Sequence, residues 1–172
     1  VGPSGCGKST VARAVLGLLP EGSRSHGRLE LMGSDPQRLR RGALNRLRGE
    51  AVGLVFQDPM TRLNPLISIG DHLRDTLSAH GAQAARAEEL LQRVGIGPER
   101  MNSYPHQFSG GMRQRVAIAL AMALQPPLVI ADEPTTSLDV AVAGQVMAEL
   151  TGLCQEAGSA LLLITHDLAM AG

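Results

Sequence analysis

A glycine-rich stretch near the start of the sequence has the residue types of a phosphate-binding loop. It fits the spacing G-x-x-x-x-G-K-[ST], and its residues are Gly2, Pro3, Ser4, Gly5, Cys6, Gly7, Lys8, Ser9 and Thr10. Glycines let the backbone turn tightly, so that successive N–H groups can surround a polyphosphate. We expect Lys8 to reach the β- and γ-phosphates and the hydroxyl of Ser9 to ligate Mg²⁺. A helix that opens at Ser9 adds the positive end of its dipole.

Two carboxylates close a short apolar run that we predict to be a buried strand. The run covers residues 128–131 and is followed directly by Asp132 and Glu133. In phosphate-loop NTPases an acid at such a strand end holds Mg²⁺, and Asp132 fits that role. Glu133 lies one residue on, where it could polarise a water beyond the γ-phosphate. The alternative interpretation is an acidic turn at the surface.

A second candidate anion site lies at Ser109, Gly110 and Gly111. Ser109 is a good N-cap residue, and the two glycines leave backbone N–H groups uncovered at a helix start. Two phosphate-binding stretches in one chain suggest a shared site, in which the second stretch completes the pocket of another copy.

Composition limits the classes of function. The 172 residues have a formal net charge of zero, so nothing electrostatic favours nucleic acid or an anionic membrane surface as a partner. The apolar runs are strand-sized, far below the roughly 20 residues that a membrane span needs. The two cysteines, Cys6 and Cys154, are far apart in sequence and fit a reduced cytosolic protein.

Strands that alternate with helices predict an α/β fold with a mainly parallel sheet flanked by helices. We predict helices over 10–19 and 140–154, buried strands over 51–56, 128–131 and 160–165, a half-exposed antiparallel strand over 27–32, and a basic helix or loop over 37–50. Residues 58–125 are predicted to form an inserted helical subdomain, and 1–57 with 126–172 the core subdomain. Because a P-loop follows a strand and the sequence begins at Val1, we expect a fragment that lacks N-terminal strands and its C-terminus.

With these motifs together, the chain resembles the nucleotide-binding subunit of ABC transporters over essentially its whole length. Gly2–Ser9 resembles the Walker A loop, Leu128–Glu133 the Walker B strand and Ser109–Gly111 the ABC signature. The other matches are Gln57 at the Q-loop glutamine, Asp139 in the D-loop and His166 at the switch histidine. Phe108 and Met112 depart from the commonest signature, Leu-Ser-Gly-Gly-Gln, but the serine and glycines are intact.

The resemblance implies a role for each matched residue. Glu133 is the general base for water attack on the γ-phosphate, and His166 contacts that phosphate. Gln57 senses Mg²⁺ and water and links the site to the helical subdomain, while Asp139 lies at the seam of a dimer. ATP is held between the Walker A loop of one ATPase subunit and the signature of another. The implied partners are two membrane permease subunits and, indirectly, an extracytoplasmic substrate-binding protein, with the ATPase peripheral on the cytoplasmic face of the inner membrane.

Two stretches narrow the resemblance to the dipeptide, oligopeptide and nickel importer group. Residues 56–65 read Phe-Gln-Asp-Pro-Met-Thr-Arg-Leu-Asn-Pro, and residues 104–107 read Tyr-Pro-His-Gln. An ATPase that powers the import of di- or oligopeptides is therefore expected, with nickel or another small solute as the alternative cargo. A soluble ABC-type ATPase of DNA repair or translation is the competing class. Some members of that class have a long coiled coil between the P-loop and the signature. The sequence has no sustained heptad repeat in this interval, which is evidence against those members.

Overall fold

Three parallel strands form the sheet that positions the candidate residues. The computed structural model describes residues 2, 6–59 and 63–167. Within these ranges the strands are β1 (Val52–Val55), β2 (Leu128–Asp132) and β3 (Ala160–Ile164), in the order β1-β2-β3. The register pairs Val55 with Ala131 and Asp132 with Ile164. The parallel sheet and these three strands confirm the sequence-based prediction.

Helices cover both faces of this sheet. They are α1 (Lys8–Val15), α2 (Arg41–Glu50), α3 (Ile69–Ala79), α4 (Ala87–Arg93), α5 (Gly110–Met122) and α6 (Val140–Ala157). On one face, Ile130 packs with residues of α1 and α2. On the other face, Val129 and Ala131 belong to a larger core with α3, α4, α5 and α6. Alternate residues of β2 therefore point into different apolar layers, as expected of a strand buried on both sides.

Helix α1 ends four residues earlier than we predicted from the sequence. Its last helical residue is Val15 rather than Leu19. The N–H of Leu18 donates to the carbonyl of Arg13 at 2.7 Å, and Gly17 lies between with φ 61°. This is the hydrogen-bond pattern of a Schellman C-cap, which needs a left-handed residue and so stops the helix.

The predicted antiparallel strand over 27–32 is wrong. Leu31 and Ser34 instead exchange two backbone hydrogen bonds, of 2.8 and 2.9 Å, across a tight turn. Met32 and Gly33 at the turn have φ values of 49° and 75°. The sequence alternates charged and apolar residues as a strand would, but the backbone reverses direction directly after Leu31, so the predicted strand does not form. The basic stretch that follows does form a helix, α2, which is kinked at Arg48 and Gly49.

Close contact between β1 and α5 joins the sheet to the helical region. A Cβ added at Gly53 would meet the carbonyl oxygen of Ala121, so only glycine lets the two backbones approach this far. The larger core contains Val55 of the sheet together with Leu73 of α3 and Val116 of α5. The boundaries of the proposed helical subdomain, 58–125, stay a prediction. Among the described residues, no helix is both long enough and apolar enough to cross a bilayer.

Candidate functional site

Three of the candidate side chains converge because each follows the carboxyl end of a parallel strand. Gln57 comes after β1, Glu133 after β2 and His166 after β3. Such ends meet at one edge of an open sheet, where α/β proteins bind ligands. The Glu133 carboxylate lies at the centre: Nε2 of Gln57 donates to its Oε2 at 3.4 Å, and Nδ1 of His166 is 3.3 Å from its Oε1.

The start of α1 brings the glycine-rich loop to the same edge. The hydroxyl of Ser9 donates to Oδ1 of Asp132 at 2.9 Å. Nζ of Lys8 is 3.9 Å from Oε1 of Glu133 and donates to the carbonyl of Gly2 at 2.6 Å. The helix begins at Lys8, one residue before the predicted start, and its N-cap is Gly7 in the left-handed region with φ 93°.

The remaining residues of the loop are only partly described. Pro3, Ser4 and Gly5, which we predicted to bind nucleotide, lie outside the described residues. Cys6 is exposed, and its Sγ is 4.0 Å from Nζ of Lys8. Thr10 is exposed within α1 and its N–H donates to the carbonyl of Gly7 at 3.1 Å.

Both carboxylates of the pair are largely withdrawn from solvent. Asp132 is 8% exposed, and the hydroxyl of Ser9 partners it. The Glu133 side chain is 12% exposed and lies between the ammonium group of Lys8 and the imidazole of His166. Buried charges need such partners, because desolvation without them is costly. The cluster therefore combines an acidic pair, a cation and a hydroxyl at one edge of the sheet.

Glu133 has an unusual backbone for a residue that is not glycine. Its φ is 47°, in the left-handed region, which costs roughly 1–2 kcal/mol for an L-residue. Its N–H donates to the carbonyl of Ile164 at 2.8 Å, so the β2–β3 ladder continues one residue past the strand and fixes this conformation. Strain of this kind concentrates at functional sites.

The second predicted anion site lies at the start of α5. Ser109 is the N-cap: its Oγ accepts from the N–H of Met112 at 3.3 Å, which confirms the predicted cap. A Cβ on Gly110 would be 3.4 Å from Leu138, and one on Gly111 would be 2.6 Å from Cγ1 of Val142. This stretch therefore packs against the start of α6.

Asp139 lies beside the same contact, as the N-cap of α6. Its Oδ1 accepts from the N–H of Val142 at 3.0 Å. Ser109, Gly110 and Asp139 are exposed, and none of the contacts described for them reaches Asp132 or Glu133. The predicted site residues thus form two separate groups: one around Glu133, the other at the paired starts of α5 and α6.

One contact to the central carboxylate was missed in the sequence. The hydroxyl of Thr136 donates to Oε2 of Glu133 at 3.0 Å. The sequence does contain a signal for this contact. Thr136 lies three residues after Glu133, with Pro134 between them, and this spacing is typical of a turn that brings a hydroxyl back to an acid.

The family model described as ABC transporter matches residues 1–136. The chain belongs to the ABC transporter family. Of its relatives, the oligopeptide transport ATP-binding protein OppD of Mycobacterium tuberculosis is 47% identical over 178 residues, covering 99% of this chain and 29% of the relative. The dipeptide transport ATP-binding protein DppD of Bacillus subtilis is 44% identical, covering 99% of this chain and 53% of the relative.

Solved ABC structures have the same fold. The ATP-binding cassette MJ0796, solved as a dimer in a post-hydrolysis state with ADP and Pi, is 32% identical and superposes with a TM-score of 0.82 over 99% of this chain and 74% of that one. CbiO1 of Clostridium perfringens, part of an ABC transporter complex, is 28% identical with a TM-score of 0.79, over 97% of this chain and 65% of that one. This ABC family chain spans 29–55% of the length of the curated relatives it matches.

Proposed function

We propose that this chain binds and hydrolyses ATP to power an ABC importer of di- or oligopeptides. The observation that carries the proposal is the convergence of Lys8, Ser9, Asp132 and Glu133 at one sheet edge, with Gln57 and His166 beside them. A cation, a hydroxyl and two acids in this arrangement suit phosphoryl transfer, which depends on positioning and charge stabilisation. The peptide cargo is supported by the names of relatives from several bacteria, OppD and DppD.

The residues around Ser9 fit a nucleotide with Mg²⁺. A hydroxyl and a carboxylate 2.9 Å apart are the oxygen ligands that Mg²⁺ takes beside phosphates. Ser9 and Asp132 would hold the ion, with Gln57 as a further ligand, and the ion would neutralise charge on the β- and γ-phosphates. Lys8 binds the same phosphates through its ammonium group, and the backbone N–H groups at the start of α1 add to their binding site.

Hydrolysis itself is assigned to the side chains around Glu133. Its carboxylate accepts a proton from water as the water's oxygen attacks the γ-phosphorus, and the bond from that phosphorus to the ADP oxygen breaks. His166 and Lys8 flank Oε1, where they can bind the transferred phosphoryl group. Gln57 contacts the other oxygen, Oε2, and so orients the carboxylate from the neighbouring strand.

The second group of residues is proposed to serve another ATPase subunit. Ser109, Gly110 and Asp139 are exposed, and within the described part of the chain their contacts do not reach the Glu133 cluster. The uncovered N–H groups at the start of α5 can bind the γ-phosphate of a nucleotide held by the partner's loop. A head-to-tail homo- or heterodimer would then have two such sites. The dimeric state of the MJ0796 cassette supports this arrangement.

A groove beside β1 is the proposed contact with a membrane subunit. It has a volume of about 350 Å³ and is mostly apolar, and its lining includes Phe56, Pro59, Leu63, His72 and Leu120. Phe56 and Pro59 of its lining lie on either side of Gln57 in the chain, so a permease segment seated there would communicate with Glu133 through Gln57. Met60, Thr61 and Arg62, in the importer-like stretch, lie outside the described residues. The ATPase would be peripheral on the cytoplasmic side, with a substrate-binding protein on the opposite side.

Purification from the native cell tests this function. The tagged protein is isolated in mild detergent, and the co-purifying proteins are identified by mass spectrometry. Two multi-spanning permeases and a peptide-binding protein are expected. A nickel-binding protein would replace peptide with nickel as the cargo. Recovery with ribosomes or DNA and without a permease would overturn the transport proposal.

Uptake of a labelled tripeptide provides the functional measurement. Cells that carry only the Glu133→Gln protein should import the peptide no faster than cells that lack the gene, because a glutamine cannot accept the proton. The matched control is Glu156→Gln, which changes an exposed carboxylate on α6 that pairs with Arg93. Uptake at the wild-type rate with Glu133→Gln would contradict the proposal.

A further inference from the structure

Thr136 lies in the turn after β2, and both of its hydrogen-bond donors point back at Glu133. Its backbone N–H donates to the Glu133 carbonyl at 3.3 Å, and its hydroxyl donates to Oε2 of the carboxylate at 3.0 Å. This hydrogen bond is shorter than the contacts that Gln57, His166 and Lys8 make with the same carboxylate, at 3.4, 3.3 and 3.9 Å. Of these four side chains, Thr136 makes the shortest contact with the Glu133 carboxylate.

In the proposed function Lys8 and His166 act on the phosphates, and Gln57 is a Mg²⁺ ligand that also contacts Oε2 of Glu133. Lys8 binds phosphates, so its contact with Glu133 changes when a nucleotide enters. Gln57 and His166 follow the other two strands, β1 and β3, whereas exposure does not separate Thr136 from Gln57, since both lie at the surface. Of the four, Thr136 alone shares a turn with Glu133. Its contact is set by the local backbone geometry of that turn.

The direction of the Glu133 carboxylate needs such a contact. The left-handed backbone at Glu133 turns the chain away from the sheet, and the glutamate side chain has several rotamers. The Thr136 hydroxyl donates to Oε2 and fixes its position, and Gln57 donates to the same oxygen. The other oxygen, Oε1, faces Lys8 and His166 and is left to accept the proton from water.

We propose that Thr136 is a positioning residue that holds the Glu133 carboxylate in the orientation for proton abstraction. The proposal rests on the proposed function, since Glu133 is a general base only there. Loss of the hydroxyl should therefore slow the chemical step and leave nucleotide binding unchanged.

The test uses Thr136→Val in the protein purified in its native complex. Valine keeps the shape and removes the hydroxyl, and a hydrogen bond to a charged group is lost, so kcat for ATP hydrolysis should fall about tenfold. KM and the dissociation constant for ATP should change less than about twofold. Thr136→Ser keeps a hydroxyl and should restore kcat. Thr151→Val, at an exposed position of α6, is the control and should hydrolyse ATP like the wild type.

A second background distinguishes positioning from a general structural effect. If Thr136 acts through Glu133, adding Thr136→Val to a Glu133→Gln protein should reduce the residual rate no further. An equal loss in both backgrounds, weaker ATP binding, or an unchanged kcat in Thr136→Val beside an active wild type would overturn this proposal alone. A wild-type complex that does not hydrolyse ATP would overturn the proposed function, and this proposal with it.

Discussion

Replacing Gly111 with alanine tests the packing between the starts of α5 and α6. The added Cβ would lie 2.6 Å from Cγ1 of Val142, whereas apolar carbons pack at about 3.5–4.0 Å. The overlap is therefore about 1 Å. Val142 is β-branched and lies within α6, where one rotamer dominates, so its side chain cannot simply turn away. The starts of α5 and α6 must therefore move apart, and this would displace the proposed signature, of which Gly111 is a part.

The free energy of this overlap can be isolated with a double-mutant cycle. Overpacking costs about 1–3 kcal/mol, but alanine gains up to about 1 kcal/mol over glycine from helix propensity. The single variant thus mixes opposing effects. Val142→Ala removes Cγ1 and with it the overlap. The double variant Gly111→Ala/Val142→Ala should therefore have a free energy of unfolding about 1–2 kcal/mol higher than the sum of the two single effects predicts.

Urea unfolding of the four proteins in the cycle measures this coupling. Gly152→Ala is the matched control on α6, because no atom lies within 4 Å of its added Cβ. That change should stabilise the protein by about 0.5–1 kcal/mol. If the effects of Gly111→Ala and Val142→Ala add to within about 0.5 kcal/mol, the predicted contact between the helices is refuted.

Three further predictions concern the loop, the sheet and a partly buried acid. Alkylation of exposed Cys6 should abolish ATP binding, because the adduct crowds the phosphate loop; calorimetry that shows full binding after confirmed modification would contradict this. Gly53→Ala should destabilise the fold by at least about 2 kcal/mol in urea unfolding, because the Cβ meets a backbone carbonyl; an unchanged midpoint would refute the close approach. Burial raises the pKa of Glu149, and Arg115 opposes this in part. The folded state therefore binds more protons, so this contribution to stability is present at low pH and lost as pH rises through the folded-state pKa. Glu149→Gln should remove that portion of the pH dependence measured by urea unfolding, and identical pH profiles would show the inference to be wrong.

The convergence of the site could be predicted because it follows from strand direction. Gln57, Glu133 and His166 each follow a buried apolar run, and parallel strands bring such positions to one edge. Ser9 was predicted to ligate Mg²⁺ at the start of a helix, and Asp132 to hold the same ion, so the two side chains are expected to meet. The structure places its hydroxyl 2.9 Å from Asp132. The assigned chemical roles stay predictions.

Features that depend on backbone reversal could not be predicted from residue pattern. The alternation over 27–32 predicted a strand, but a two-residue turn after Leu31 removes it. The early end of α1 depends on Gly17 in a left-handed conformation, and the contact of Thr136 depends on the same conformation at Glu133. A glycine or hydroxyl in sequence permits such geometry without specifying it, because tertiary packing selects the conformation.

The most direct test of the central claim is ATP hydrolysis by the Glu133→Gln protein in its native complex. A general base contributes about 10²–10⁴-fold to a rate, so kcat should fall at least about a hundredfold. ATP affinity should stay within about threefold of wild type, because Lys8 and Ser9 are unchanged. Wild-type turnover with Glu133→Gln would contradict the claim that the carboxylate at the carboxyl end of β2 activates the attacking water.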